Sequence, residues 1–403
     1  MQIAPILAAL RRHRLATMLI AMEIALACAV LCNACFLIVT RLDQIHILSG
    51  VDEASLGQIQ VDCSNDCNEV DLNARLLSAI GQVPGVQSVS VINQVPFGEH
   101  AGTVGITLDP EGHKEGGVVD FYLGGPGSFK ALGLTLLKGS VPAAGDYQAL
   151  DGFAPANASV WVTAELAEHL WPGEDPMGHE FWVDKFHYRV AGVLQHLVRP
   201  NGGEGGPSTR GWSVFVPAVP GKGLSGNYLV RAQPDQLQRV LRDARDAAVK
   251  AAPEAVLDRE QSRSVGDLRK SYSEQDVAMT GILVGVIGAL LLVTALGIVG
   301  LASFWVAQRR RQIGVRRALG ATRRDILHYF QTENFLIVSM GVAVGMVLAY
   351  GLNLWLMQSY ELPRLPVYYL PVGVVALWLL GQLAVLAPAL RAAAVPPVVA
   401  TRT

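Results

Sequence analysis

The chain has 403 residues, of which 51% are hydrophobic and only 16% are charged, and its mean hydropathy is +0.33. It is too apolar for an ordinary soluble enzyme and too polar for a chain that lies wholly within a membrane. The net charge of −2 conceals clusters of arginine at the N-terminus, in one central segment and in the tail. Basic clusters can bind nucleic acid, but long apolar segments flank these ones and favour positive-inside membrane topology.

The first predicted elements are a cytoplasmic N-terminus, residues 1–15, and a transmembrane helix over residues 16–40. The apolar segment is too long for a signal peptide and lacks a convincing cleavage site, so an uncleaved span is predicted. Glu23 lies within it as a candidate functional acid, unless it lies near the headgroups or bonds to a neighbouring helix. Three cysteines share one helix face and are predicted to be packing residues, not metal ligands: Cys28, Cys32 and Cys35.

Residues 41–275 are predicted to form one α+β domain outside the cytoplasm, which ends in a polar run over residues 260–276. Alternating or β-branched residues predict six strands: 58–61, 88–93, 118–123, 159–162, 181–194 and 212–216. Apolar periodicity predicts three helices: 71–80, 163–169 (with Thr163 as N-cap) and 235–251. The glycine-rich segment 201–208 is predicted to be a loop tip, because it lacks the lysine and hydroxyl residue of a phosphate-binding loop.

Cys63 and Cys67 are the only cysteines outside the predicted spans. An oxidising compartment favours a structural disulfide between them, with free thiols or a metal site as the alternatives. The histidines of this domain have no metal-ligand spacing, so no metal site is predicted. No nucleophile, base and acid stand out as a set, so no catalytic residue is predicted either.

Three further segments exceed the ~18–20 residues that cross the hydrocarbon, and they are predicted spans: 276–306, 334–358 and 367–390. Between and after them lie a cytoplasmic helix, a short outer loop and a cytoplasmic tail: 307–333, 359–366 and 391–403. Two Gly-x-x-x-Gly pairs could seat close helix contacts, namely Gly281 with Gly285 and Gly341 with Gly345. The predicted fold is a membrane protein of four transmembrane helices with a large α+β domain between helices 1 and 2.

The segment from Arg309 to Glu333, RRRQIGVRRALGATRRDILHYFQTE, has seven arginines in its first sixteen residues and no acid before Asp325. Apolar residues recur in it at helical spacing, which predicts an amphipathic helix. On a helical projection three of its residues share a face with Ile326: Val315, Leu319 and Thr322. Gly320 allows either close backbone approach or a break between two short helices. Arginines that only fix topology and bind lipid are the alternative.

Three stretches carry a family resemblance. GVRRALGATRRDILHYFQTE, residues 314–333, resembles the signature of the MacB/FtsX-type permeases of ABC transporters. VTAELAEHLWPGEDPMGHEFWVDKFHYRVAGVLQHL, residues 162–197, resembles the periplasmic core domain of that family, and PGVQSVSVINQVPFG, residues 84–98, resembles its first strand. The order of one span, a large outer domain and three spans is also similar. The chain departs from the family in its short tail and at Gln312, where many members carry glutamate.

The resemblance implies a multi-pass permease of the bacterial inner membrane, with its large domain in the periplasm. It also implies that the polar run 260–276 is the outer part of a stalk. It implies a dimer, with a second copy or a paralogue, that couples a separate ABC ATPase subunit to export of a periplasmic substrate. A periplasmic adaptor and an outer-membrane channel are further implied partners, and nucleic acid is not. Residues of the basic segment would then contact the ATPase: Arg316, Arg317, Leu319, Gly320, Ala321, Thr322, Arg324 and Asp325.

The sequence has no G-x-x-x-x-G-K-[ST] motif, whose backbone N–H groups and lysine hold nucleotide phosphates. The chain is therefore expected to be no enzyme and to bind no cofactor itself, with ATP and Mg²⁺ held by the partner ATPase. Two other activities fit the same resemblance: an FtsX-like signal transmitter that activates cell-wall hydrolases, and a lipoprotein-releasing permease. A membrane sensor would need a cytoplasmic output domain, and a solute channel would need a polar stripe along its spans.

Overall fold

The computed structural model describes residues 14–63, 67–99, 101–200, 206–360 and 366–394. The chain divides into two compact units. The sheet unit is Gln44–Gln275, and the helix unit is formed by the chain before and after it. Most of the predicted N-terminus, loop tip, outer loop and tail lies outside the described residues.

The strands and helices are numbered here in chain order. The strands are β1 (Leu56–Asp62), β2 (Val86–Val91), β3 (Thr103–Thr107), β4 (Glu115–Gly124), β5 (Leu136–Gly139), β6 (Asn157–Thr163), β7 (Glu180–Val183), β8 (Phe186–Leu194), β9 (Ser213–Pro217), β10 (Asn227–Ala232) and β11 (Val256–Asp258). The helices are α1 (Arg14–Ile45), α2 (Glu69–Gly81), α3 (Ser128–Leu132), α4 (Ala164–Leu170), α5 (Leu237–Ala251), α6 (Val265–Gln308), α7 (Arg310–Ala318), α8 (Arg323–Tyr360) and α9 (Leu370–Ala393).

The smaller sheet of the sheet unit has four antiparallel strands in the order β11-β1-β10-β2. Helices α2 and α5 pack on it. The buried residues of α5 recur every three or four positions, which gives the helix one apolar face for the sheet: Leu237, Val240, Leu241, Ala244 and Ala248. The side chain of Asn68 caps α2 by accepting from the N–H groups of Val70 and Asp71, which satisfies two donors that the helix cannot pair internally.

The larger sheet has seven strands in the order β5-β8-β6-β9-β4-β3-β7. Since β7 also pairs with β8, six of the strands close into a ring, and β5 is left as an edge strand. Aromatic side chains fill part of the enclosed core: Phe121 lies edge-on to Phe181 and Tyr188, at 6.5 and 5.2 Å between ring centroids. All three side chains are fully buried.

Five of the six predicted strands and all three predicted helices of this unit are confirmed. The single strand predicted over 181–194 is wrong, because the chain turns at Asp184 (φ 52°) and returns as the hairpin β7–β8. Thr163 precedes α4 as predicted, but it is no side-chain cap. Its hydroxyl donates instead to the carbonyl of Gly211 on a neighbouring segment. This tertiary hydrogen bond replaces the local capping bond that threonine commonly makes at a helix start.

Four helices of the described chain are long and apolar enough to cross a membrane: α1, α6, α8 and α9. Large apolar side chains remain exposed along them, among them Ile282 at 63% and Val347 at 74%. A surface of this kind is stable in lipid rather than in water. The predicted fold class, four apolar helices with a large α+β domain between the first and the second, is confirmed.

Glycines decide how closely α8 packs on α1. A Cβ at Gly345 would lie 2.5 Å from the Cβ of Cys28 and 2.7 Å from the carbonyl oxygen of Ala25, and one at Gly341 would meet α1 at 2.8 Å. Predicted close contact is therefore confirmed for this pair of glycines. It is wrong for the other pair, residues 281 and 285, because no described atom lies within 4 Å of either added Cβ.

Two helices run through boundaries that hydropathy alone suggests. Helix α6 begins at Val265, so the predicted polar stalk and the second span form one helix. Helix α8 continues from Arg323 to Tyr360, so no break separates the predicted cytoplasmic helix from the third span at residue 333. Hydropathy changes along these helices without any residue that would end them.

Candidate functional site

The basic segment 309–325 contains a turn that separates α7 from α8. Gly320 has a φ of 100°, a left-handed conformation that glycine adopts without steric strain. Its N–H donates to the carbonyl of Arg317 at 3.2 Å, and the N–H of Ala321 donates to the carbonyl of Arg316 at 3.1 Å. This pair of bonds is the pattern with which glycine commonly ends a helix. Of the two predicted outcomes at Gly320, the structure has the break.

The start of α8 is fixed by a reciprocal pair of contacts. The backbone N–H and the hydroxyl of Thr322 donate to Oδ2 of Asp325, at 2.8 and 2.6 Å, and the N–H of Asp325 donates back to the hydroxyl at 3.2 Å. The bonds satisfy N–H groups that a helix start leaves unpaired, and the carboxylate lies at the positive end of the helix. The sequence T-x-x-D thus explains why a second helix begins here.

The turn places the predicted apolar face on two different surfaces. Ile313 and Ile326 are buried, at 5% and 4% exposure, whereas Val315 is 47% exposed and Leu319 is 83% exposed. The single face predicted for these residues is wrong, because the projection assumed one continuous helix. What the fold exposes instead is a small apolar surface, Val315 and Leu319, surrounded by arginines.

The predicted coupling residues surround this surface. Six of them are exposed and two are half-buried: Arg316, Leu319, Gly320, Thr322, Arg324 and Asp325 in the first group, Arg317 and Ala321 in the second. The guanidinium of Arg316 lies 4.9 Å above the ring of Tyr329, and that of Arg317 donates to the carbonyl of Ala393 at 3.0 Å. These contacts tie α7 to α8 and to the end of α9. The contact with an ATPase stays a prediction.

A buried ion pair joins the start of α7 to α8. Nη1 of Arg309 donates to both carboxylate oxygens of Glu333 at 2.9 Å, and the two side chains are 11% and 2% exposed. Removing one member would leave an uncompensated buried charge. The sequence reasoning missed this pair. The available signal was an acid at the edge of a predicted span, which is a candidate functional residue by default.

A cavity of about 20 Å³ adjoins the pair, where α1, α6, α8 and α9 converge. Among the described residues, the indole N–H of Trp305 and the amide nitrogen of Asn334 are buried there without an acceptor. A space of this size accommodates about one water molecule, which is the usual partner of such donors.

Glu23 lies against α6. A Cβ added to Gly297 would be 2.8 Å from its Oε2, so the glycine makes room for the carboxylate. The same close packing applies to the cysteines of α1: Cys28 meets Gly345, and the Sγ of Cys32 lies 2.5 Å from the place that a Cβ of Gly373 would take. These positions agree with the packing role that was predicted for the cysteines.

In the sheet unit, Cys63 and Cys67 lie with their Cα atoms 5.9 Å apart, a separation that a disulfide spans. Elsewhere, a surface loop gathers possible ligand atoms of Asp109, Glu111 and His113 within 4.8 Å. The last two residues are exposed, and exposed acidic groups of this kind are common without a metal.

A second buried ion pair stabilises the ring of strands. Arg199 binds Asp120, whose carboxylate also accepts from Thr103 at 2.8 Å, and the Arg199 and Asp120 side chains are 6% and 0% exposed. Tyr122 donates to the carbonyl of Val198 at 2.7 Å, and burial raises its pKa well above the ordinary value. The phenol therefore stays a neutral donor. These groups are internal and offer no open site.

His196 forms a more exposed contact, in which both ring nitrogens face acceptors. Nδ1 lies 2.5 Å from the carboxylate of Glu165, and Nε2 lies 2.8 Å from the carbonyl oxygen of Leu48. The hydrogen bond to Glu165 raises the pKa of His196 above its ordinary value. A doubly protonated ring satisfies both acceptors.

Residues 284–397 match the family model described as FtsX-like permease C-terminal. The macrolide export ATP-binding/permease protein MacB of Bdellovibrio bacteriovorus is 24% identical, over 48% of this chain and 30% of its own length. The uncharacterized ABC transporter permease YknZ of Bacillus subtilis is 25% identical, over 62% of this chain and 63% of its own length. The chain thus spans less than two thirds of the length of these relatives.

The match is not confined to the apolar helices. The pyoverdine export ATP-binding/permease protein PvdT of Pseudomonas savastanoi pv. phaseolicola is 24% identical over 80% of this chain, and over 49% of its own length. An alignment of that extent includes much of the sheet unit as well. The family model and these relatives, together with the four apolar helices and the α+β domain, support a MacB/FtsX-type permease.

Proposed function

We propose that this permease transmits the motion of a separate ABC ATPase across the bacterial inner membrane to drive export of a periplasmic substrate. The observation that carries the proposal is the surface formed by Val315 and Leu319 at the turn after α7. Leu319 is 83% exposed beside a stabilised turn, so it offers an apolar contact to a partner. The arginines around it can meet acidic groups of a partner.

The turn also gives a route for motion. Arg317 ties α7 to the end of α9, and the buried pair Arg309–Glu333 ties the end of α6 to α8. A push on Leu319 would therefore reach three long helices rather than a loose loop. ATP and Mg²⁺ belong to the ATPase in this proposal, and the permease itself catalyses nothing.

Binding of the ATPase tests the docking surface. In Leu319→Glu a charge replaces the apolar contact without loss of internal packing, so affinity for the ATPase should fall about tenfold or more. Val256→Glu is the matched control, because that valine is 71% exposed in the sheet unit. Copurification and ATPase binding would be measured on the full chain in detergent. Unchanged affinity in Leu319→Glu would overturn the docking assignment.

Gly320 gives an independent test. Both Gly320→Ala and Gly320→Glu strain the left-handed turn, so the difference between them reports only charge and bulk at the contact. Gly320→Glu should bind the ATPase more weakly than Gly320→Ala. Equal binding would place Gly320 outside the interface.

The export step needs partners and a substrate. We propose a dimer of permeases, formed with a second copy or a paralogue, a periplasmic adaptor and an outer-membrane channel. A macrolide and a pyoverdine are the first probes, since relatives carry those names. Cells that lack the chain should retain one of these compounds, and an adaptor should copurify with the permease. Failure of both results, with ATPase binding intact, would favour signalling over export.

A further inference from the structure

The sheet unit is connected to the helix unit by two stretches of backbone, after Asp43 and after Gln275. Any force that the chain carries into the sheet unit enters near these two points. The first point is followed by residues 45–53, here called the root segment, which lead from α1 to β1. The second point is preceded by the first turns of α6, which contain Arg269.

Arg269 joins these two points within the sheet unit. Its Nη1 and Nη2 donate to the carbonyls of Ile45 and Ile47, at 3.2 and 2.5 Å. Nε and Nη2 also bind the carboxylate of Glu53, at 2.8 and 2.7 Å. All three guanidinium nitrogens are thereby used on the root segment, a geometry that the single ammonium of lysine cannot reproduce.

The same guanidinium contacts the loop that follows β2 of the small sheet. It lies 4.4 Å above the ring of Phe97, which also meets Tyr272 of α6 at 5.4 Å between centroids. Phe97 has a φ of 65°, a conformation that is rare for a bulky residue and persists where neighbours hold it. It follows β2 in the chain, and Glu53 leads into β1, so both attach the junction to strands of that sheet.

The large sheet holds the other side of the root segment. The N–H of Val198, beyond β8, donates to the carbonyl of Ser49 at 3.0 Å, and His196 binds the carbonyl of Leu48. A Cβ at Gly50 would lie 2.3 Å from the carbonyl oxygen of His196, so backbone approaches backbone there. Phe97 and His196 belong to the two sheet-unit stretches that carry the family resemblance, and both converge on the root segment.

The helix unit repeats the connection independently. Arg41 of α1 binds Asp276 of α6 at 2.6 Å, and the aspartate is only 10% exposed. Asp276 follows Arg269 by seven residues, which is about two helical turns or ~10 Å along α6. Arginine–carboxylate contacts thus tie α6 to α1 in the helix unit and to the root segment in the sheet unit.

We propose that Arg269 is a positioning residue that locks the end of α1, the start of α6 and the two sheets into one junction. Through this junction, motion that arrives along either stretch of backbone is passed to both sheets of the sheet unit. The inference rests on the proposed function, because the motion it transmits is that of the ATPase. Loss of the Arg269 side chain should uncouple the periplasmic domain from the ATPase without unfolding either unit.

Hydrogen exchange of the full permease–ATPase complex, with and without ATP and vanadate, tests this proposal. In Arg269→Gln, amides of the root segment should exchange about tenfold faster or more, since charge-assisted hydrogen bonds are lost. ATP should still change exchange in α7, whereas its effect on β6 and β8 should disappear. Arg269→Lys should recover part of that effect. Arg263→Gln is the control, since the Arg263 side chain bonds to Glu260 and Ser271 within the described residues.

An effect of ATP on β6 and β8 that persists in Arg269→Gln would overturn the proposal, as would an unchanged root segment. Absence of any ATP effect on α7 in the unmodified complex would instead contradict the proposed function, and with it this inference. If Arg269→Gln does not fold, the same exchange measurement is made on Glu53→Gln. That variant weakens only the contact with the carboxylate, because the bonds from Arg269 to the two carbonyls remain.

Discussion

The two units of this permease use apolar residues differently. The sheet unit buries its largest ones, with Phe121 and Phe181 fully buried, whereas the helix unit leaves many exposed along its long helices, with Val347 at 74% exposure. Hydrophobic burial therefore stabilises the sheet unit directly. In the helix unit lipid covers the apolar surface, and close packing at small residues decides which helices meet. An exposed apolar side chain is unfavourable in water but not in lipid, so its exposure must be judged against the solvent around each unit.

Buried ion pairs show what the units share. Asp120–Arg199 lies in the sheet unit and Glu333–Arg309 in the helix unit, and each pair includes a carboxylate that is almost fully buried. In both places the surroundings are poor in water, so charges are retained only as pairs. Variants that remove charge or add bulk can test how far the comparison extends.

The largest effect is expected at the buried pair of the sheet unit. Asp120→Ala removes the carboxylate that compensates the buried charge of Arg199, which should lower the free energy of unfolding by about 3–5 kcal/mol. This free energy would be measured by chemical denaturation of the full chain in detergent, with a signal that reports on unfolding of the sheet unit. The double variant Asp120→Leu/Arg199→Met should recover much of the loss. Asp175→Ala, at an exposed pair with Lys138, should change nothing measurable. Equal effects at Asp120 and Asp175 would contradict the distinction.

Overpacking a helix contact should have the next largest effect. Gly345→Leu inserts a side chain where a Cβ alone would meet Cys28 at 2.5 Å, which should cost about 1–3 kcal/mol or more. Gly285→Leu is the matched control, since its Cβ would meet no described atom within 4 Å. The melting temperature in detergent should fall only for Gly345→Leu. A similar fall for both glycines would show that the α1–α8 contact is not what limits stability.

The cysteine pair of the sheet unit should have a moderate effect. A disulfide between Cys63 and Cys67 closes a loop of about five residues, for which chain entropy gives about 2 kcal/mol. Cys63→Ser should lower the stability of the sheet unit by up to that amount, and adding reductant to the unmodified chain should do the same. Mass spectrometry after alkylation without reduction would show both thiols protected. Alkylation of both cysteines would refute the disulfide.

Local sequence patterns predicted most of the helices and strands. Hydropathy indicated all four long helices, and alternation indicated most strands, because both depend on residues that are close in the chain. The hairpin at Asp184 was missed, since alternation continues on both sides of the turn. The break at Gly320 remained one of two alternatives, because a glycine permits a turn without requiring one.

The junctions could not be predicted in the same way. Arg269 and Glu53 are 216 residues apart in the chain, and Arg309 and Glu333 are 24 residues apart. Each arginine had several acids as possible partners, and no periodicity chooses among them. Only the packed helices and sheets bring the partners together. For the same reason, the assignment of residues 316–325 to ATPase coupling comes from the family resemblance and from their exposure, not from a contact within the chain.

The smallest effect is expected at the contact between His196 and the root segment, and it depends on pH. Glu165 raises the pKa of His196 in the folded chain, whereas the unfolded value is about 6.5. A group with a raised pKa contributes fully below its unfolded value and loses that contribution as pH rises through the folded value. The partly exposed pair should contribute about 0–1 kcal/mol. The difference in melting temperature between the unmodified chain and His196→Gln should therefore be largest at about pH 5.5 and shrink towards pH 8.5. Subtracting the melting temperature of the variant removes the titration of all other groups. A difference that grows with pH would therefore contradict the charged His196–Glu165 pair and leave His196 as a neutral donor to Leu48.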